Sequence, residues 1–94
     1  MLEYNDIVYA ENAVTPVLRV SSVKVLDGHR LSLCFSNGQN RVLDMSPLLD
    51  KGVFKALRDE SVFNDVKINP DFGCLEWKDG EIDIDTDTAY ARAI

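Results

Sequence analysis

The chain has 94 residues and a net charge of −6, with 46% hydrophobic and 28% charged residues. That length fits one domain around a single modest core, and the apolar fraction excludes disorder of the chain as a whole. A sequence pI near 4.5 leaves no overall basic footprint for phosphates, which counts against a general nucleic-acid binder.

The first sixteen residues show no sustained period and end at Thr15-Pro16. Residues 1–16 read as an N-terminal extension that is either loose or an edge strand around Ile7-Val8-Tyr9, and residues 17–94 read as one domain. Val20, Val23 and Val25 open the strand pattern, with a phase slip at Ser21-Ser22 that suits a bulge. After a turn at Leu26-Asp27-Gly28-His29, Leu31, Leu33 and Phe35 alternate with polar or small residues. Ser36-Asn37-Gly38-Gln39 is a hairpin cue, because Asn and Gly tolerate positive φ. The return strand runs from Asn40 to Asp44, so residues 17–45 form a three-stranded antiparallel meander.

The period changes at Ser46-Pro47, where Ser suits a cap and Pro the first helical position, and the neighbouring Asp44 reads as a helix-entry cap and not as an acid catalyst. Gly52 is expected to stop that turn. A second short helix covers Val53 to Arg58, with Phe54 and Leu57 on its inner face, and Asp59-Glu60-Ser61 opens a further turn. Val66, Ile68, Leu75 and Trp77 form a second hairpin over residues 65–78, around the loop Asn69-Pro70-Asp71-Phe72-Gly73. Ile82 and Ile84 continue as a short extended segment, and Asp85 or Thr86 caps a last helical turn. The fold class is α+β: a mainly antiparallel sheet with short helices on one face.

Charge is distributed unevenly. Residues 1–58 hold seven Lys/Arg and six Asp/Glu, a net of +1; residues 59–94 hold three and ten, a net of −7. Asp79, Glu81, Asp83, Asp85 and Asp87 occupy alternate positions with no basic residue among them. On an extended chain that spacing places all five on one face. Three readings follow: a solvated face that discourages strand aggregation, a docking surface for a basic protein, or a hard-cation site. An EF-hand loop is out: counted from Asp83, Thr88 stands where Gly is required and Ile94 where Glu is required. No metal or cofactor is expected.

No other residue set carries chemistry. His29 is the only histidine and reads as an exposed turn residue without a nucleophile beside it. Cys34 and Cys74 lack metal-ligand spacing and read as small packed thiols. Trp77, Phe54, Phe63 and Phe72 read as core, because a base-stacking platform comes with a basic groove. No basic leader and no apolar run of about 20 residues is seen, so a cytoplasmic, non-membrane protein is expected. Function then rests on association with a protein partner or a second copy of the chain, and not on catalysis.

The segments at residues 20–38, 41–59 and 63–85 together resemble a family of small bacterial domains of unknown function. Its members share an F-x-N-G turn, a D-x-S-P-L-L helix start and a W-x-x-G-x-D-I ending. Here they correspond to Phe35–Gly38, Asp44–Leu49 and the stretch from Trp77, where two residues, Glu81 and Ile82, stand between Gly80 and Asp83-Ile84. The resemblance implies that some members stand alone, that some precede a helix-turn-helix domain, and that some are encoded beside small toxin-like proteins. An antitoxin-like role against a small basic toxin is therefore the alternative. No helix-turn-helix segment follows residue 94, so a DNA-binding role is not expected to carry over. Ala89-Tyr90 stands where similar domains often have Leu-Tyr.

Overall fold

Leu31, Leu33 and Phe35 alternate along one strand, and all three are fully buried. This strand, β2 (Arg30–Phe35), is the centre of a meander with β1 (Val20–Leu26) and β3 (Asn40–Asp44). The computed structural model describes residues 17–94. The edge strand expected around Ile7-Val8-Tyr9 lies outside the described residues.

The second turn of the meander follows from local chemistry. Asn37 Oδ1 accepts from the Gln39 N–H at 3.0 Å, and Gly38 takes φ +86°, which suits glycine. The register slips by one residue between Val20 and Ser22, where Ser21 is the extra residue and its hydroxyl donates to the Cys34 carbonyl. That is the expected bulge.

The helical pieces after β3 are tighter than expected. Between residues 46 and 63, Ser46–Leu48 and Gly52–Arg58 are 3₁₀ turns, and only α1 (Glu60–Phe63) is α-helical. Segments this short gain little from propagation, so packing decides their form. Each contributes a buried residue: Leu48, Leu57 and Phe63. Gly52 opens the second turn; it does not stop the first. Of the two residues that read as a cap here, Asp44 fills the part and Ser46 does not. The Asp44 carboxylate accepts from the Ser46 N–H at 2.9 Å and from its hydroxyl, so Asp44 is the acceptor and Ser46 the donor. Asp59 plays the same part for Ser61.

Both carboxyls are held below their ordinary value near 3.8, chiefly by the serine hydroxyl and then by the serine N–H. A depressed folded value means stabilisation that is complete above the unfolded value and lost as pH falls through the folded one. Asp44→Asn with Asp59→Asn keeps a capping acceptor but removes the titration. Urea melts at neutral pH and below pH 4 are therefore expected to show a shallower acid loss in the double variant than in the parent.

The second half builds a sheet of its own. The expected hairpin, β4 (Lys67–Ile68) with β5 (Leu75–Trp77), gains a third antiparallel strand, β6 (Ile82–Ile84). Leu75, Trp77, Ile82 and Ile84 join the meander residues in one core. Links outside the strand ladders tie the halves, three of them through Val20, Val42 and the last helix. The Val20 N–H donates to the Gly73 carbonyl at 2.8 Å, and Val42 and Ile94 exchange reciprocal backbone bonds of 2.9 and 3.0 Å. The third is α2 (Thr86–Arg92). Its Tyr90 ring meets Phe35 edge-on at 4.8 Å, and Arg41 lies 3.8 Å over the same ring. Asn37 and Arg41 both donate to the Tyr90 hydroxyl. The Asn-Gly turn and the last helix are thereby clasped together.

Candidate functional site

The acidic stretch is divided by a sharp turn. Lys78 and Asp79 both adopt left-handed backbone, φ +54° and +55°, and Gly80 follows at φ +90°. The 3₁₀ turn Lys78–Gly80 thus separates Asp79 from β6. Of the five carboxylates placed on one extended face, only Asp83 lies within a strand. Glu81 follows the turn, Asp85 occupies the N-cap position of α2, and Asp87 lies in its first helical turn. The single five-residue row is therefore corrected to a shorter one. From Glu81 to Thr86, exposed and buried residues alternate: Glu81, Asp83 and Asp85 are exposed, while Ile82, Ile84 and Thr86 are buried. The extended chain that gives period-2 alternation is β6, bounded by Glu81 in the αR region and by Thr86 in α2.

The sheet adds a residue to this face. Glu76 of β5 lies directly opposite Asp83 of β6, and Lys67 of β4 lies opposite Glu76. Like charges directly opposite are unfavourable on a sheet, so the Glu76–Asp83 pair costs stability that the core must offset. The signal for Glu76 was available in the sequence, since it alternates with buried Leu75 and Trp77. The face has some internal compensation: Glu76 accepts from Asn69 Nδ2 at 3.0 Å, and Lys78 lies 3.9 Å from Glu81.

Of the two cap candidates, Asp85 and Thr86, Asp85 takes the N-cap position, but its side chain makes no capping bond. The Thr86 hydroxyl donates instead to the Gly73 carbonyl at 3.2 Å.

Cys74 borders the acidic face. Burial first, then the charges of Asp83, Glu76 and Asp85, push its thiol above the ordinary value. A thiol held protonated is a poor nucleophile. Cys34 is half-buried, and both cysteines are free. Among the described residues, no three His, Cys, Asp or Glu side chains are grouped to hold a metal ion. The described residues also contain no helix long and apolar enough to cross a membrane.

Two readings of single residues need correction. His29 is half-buried, not exposed, and its ring packs 5.0 Å from Phe63. Phe72 is not a core residue: it stands 72% exposed on the Asn69–Gly73 loop. Phe54 is half-buried, while Phe63 and Trp77 are core.

Residues 20–94 match the model of a family described as "Protein of unknown function (DUF2442)". No curated protein matches the chain. A solved structure from Nitrosomonas europaea ATCC 19718, described as "Putative DNA Binding Protein NE0471", is similar at 28% identity and a TM-score of 0.70. The similarity covers 81% of this chain and 48% of that one, so this chain spans about half the length of that neighbour.

Proposed function

We propose a protein-association role for this chain, which belongs to the DUF2442 family of proteins of unknown function. In this reading it is a non-catalytic module whose acidic sheet face docks a basic partner. The observation that carries it is the opposition of Glu76 and Asp83, flanked by exposed Glu81 and Asp85. Keeping like charges together costs stability, and a cationic partner would relieve that cost. The ladder fixes the backbone of Glu76 and Asp83, so docking there has only side chains to order. A small basic toxin-like protein is a partner of fitting chemistry. The raised Cys74 thiol offers no activated nucleophile beside this face, which supports a role without catalysis. The hard-cation reading draws no support from the arrangement of the carboxylates.

The test is titration of a Lys-rich, arginine-free peptide at low and high salt. Binding is expected to weaken with salt. The variant Glu76→Gln/Asp83→Asn/Asp85→Asn is expected to weaken it about tenfold at low salt, equivalent to about 1.4 kcal/mol. Binding that ignores salt, or that the triple variant retains, overturns the reading.

The neighbour's description raises DNA as a second ligand. The −7 of residues 59–94 opposes a phosphate backbone, whereas residues 1–58 are near neutral. Duplex DNA in low salt is therefore expected to show no change in anisotropy on addition of the protein.

A further inference from the structure

A cavity of about 500 Å³ opens between the β1–β2 turn and α1, in the size range of small-ligand sites. Asp27, His29, Glu60, Phe63 and Asn64 line it together with apolar residues at the end of β1. No Lys or Arg is among its lining residues. Arg30 sits beside it, with its Nε donating to the Asp27 carbonyl at 2.9 Å.

Two features of His29 have no explanation in the fold alone. Its backbone is left-handed, φ +58°, next to Gly28 at φ +73°. A second glycine would make the same turn without the steric cost that an L side chain meets there. Its Nε2 is buried with no hydrogen-bond partner among the described residues. Backbone strain and an unsatisfied buried atom on one residue are typical of ligand sites, where the surrounding structure tolerates both. The imidazole meets Phe63 at 64°, and Phe63 stacks on Trp77 with centroids 6.2 Å apart. The aromatic wall of the cavity is thus anchored in the core.

We propose that this cavity receives a guanidinium group. Two carboxylates, Asp27 and Glu60, offer acceptors that match the planar donor fork of guanidinium. The Asn64 amide oxygen adds a neutral acceptor. A planar, weakly hydrated guanidinium meets such a set of acceptors better than a compact, strongly hydrated ammonium. The site is built from different residues than the acidic sheet face and does not depend on it.

The guanidinium can belong to a free small molecule or to an arginine side chain of another protein. Agmatine and a blocked Gly-Arg-Gly peptide separate these sources, with the blocked Gly-Lys-Gly peptide as control. Titrations followed by amide chemical shifts are expected to move residues 27–30 and 60–64. Binding of both probes places a free guanidinium ligand within reach; binding of the peptide alone assigns the site to a partner's arginine. Asp27→Asn and Glu60→Gln, each checked for an unchanged melting curve, are expected to weaken binding by about tenfold. The variant Glu76→Gln/Asp83→Asn/Asp85→Asn is expected to retain it, so failure of the acidic-face reading leaves this site standing. No shift at these amides with millimolar probe overturns the proposal, as does equal binding of the lysine peptide or unchanged affinity in both single variants.

Discussion

Trp77→Ala is expected to destabilise the domain by about 3–5 kcal/mol, the range for removing a large aromatic from a core. The indole is 1% exposed and carries three relationships at once. It stacks on Phe63, it lies opposite Ile82 in the β5–β6 ladder, and its Nε1–H donates to the Phe63 carbonyl at 3.0 Å. That carbonyl belongs to the last residue of a four-residue helix, where no following turn supplies a partner. One side chain therefore fills the core between α1 and the second sheet and satisfies the end of the helix. Trp77→Phe separates the two contributions. It keeps most of the ring but leaves a buried acceptor unpaired, at a cost of about 1–3 kcal/mol. Small domains have total stabilities of about 5–15 kcal/mol, so the alanine variant approaches the limit of folding. Urea unfolding followed by circular dichroism measures both variants. A loss below about 1 kcal/mol for Trp77→Ala would refute this placement of the indole.

The elements that were legible in the sequence are those whose cause is local. The meander followed from period-2 alternation in β2 and from Asn37-Gly38, and both are properties of consecutive residues. The loop Asn69–Gly73 followed from Asn69, whose side-chain oxygen accepts from the Asp71 and Phe72 N–H groups. The acidic row was misread where a local rule was extended past its domain. Alternate spacing gives a common face only in extended chain, and left-handed backbone at Lys78 and Asp79 breaks it. The half-buried state of His29 was hidden for a different reason. It is set by Phe63, thirty-four positions away, and no pattern around the turn reports that contact. The Arg41–Tyr90 clasp is equally distant, at a separation of 49 residues. The choice of 3₁₀ over α geometry after Asp44 also depends on packing, since runs this short have weak intrinsic preference.

The most severe backbone change is expected at the junction of the two halves, where Gly73→Ala should cost about 2–3 kcal/mol. Gly73 has φ +73°, a region where an L side chain costs about 1–2 kcal/mol. A Cβ there would also stand 2.7 Å from Arg19 Cβ and 2.9 Å from Arg19 Cγ. The closer atom is fixed to the backbone, so the clash cannot be relieved by rotating the arginine. Nor can the glycine move freely. Its N–H donates to the Asn69 carbonyl, and its own carbonyl accepts from the Val20 N–H and the Thr86 hydroxyl. Arg19 is held too: its Nη1 and Nη2 donate to the carbonyls of Asp71 and Pro70, each at 2.9 Å. Any shift that accommodates the methyl group must loosen the start of β1, the loop or the start of α2. A double-mutant cycle resolves the two contributions, because only contacting residues couple. In an Arg19→Ala background the nearest clash remains, so most of the penalty should persist. In an Arg19→Gly background that contact disappears and only the conformational part, about 1–2 kcal/mol, should survive. Urea melts followed by Trp77 fluorescence read all the variants. Equal penalties for Gly73→Ala in the parent and Arg19→Gly backgrounds would show that backbone strain alone demands glycine here, with no contribution from close packing against Arg19.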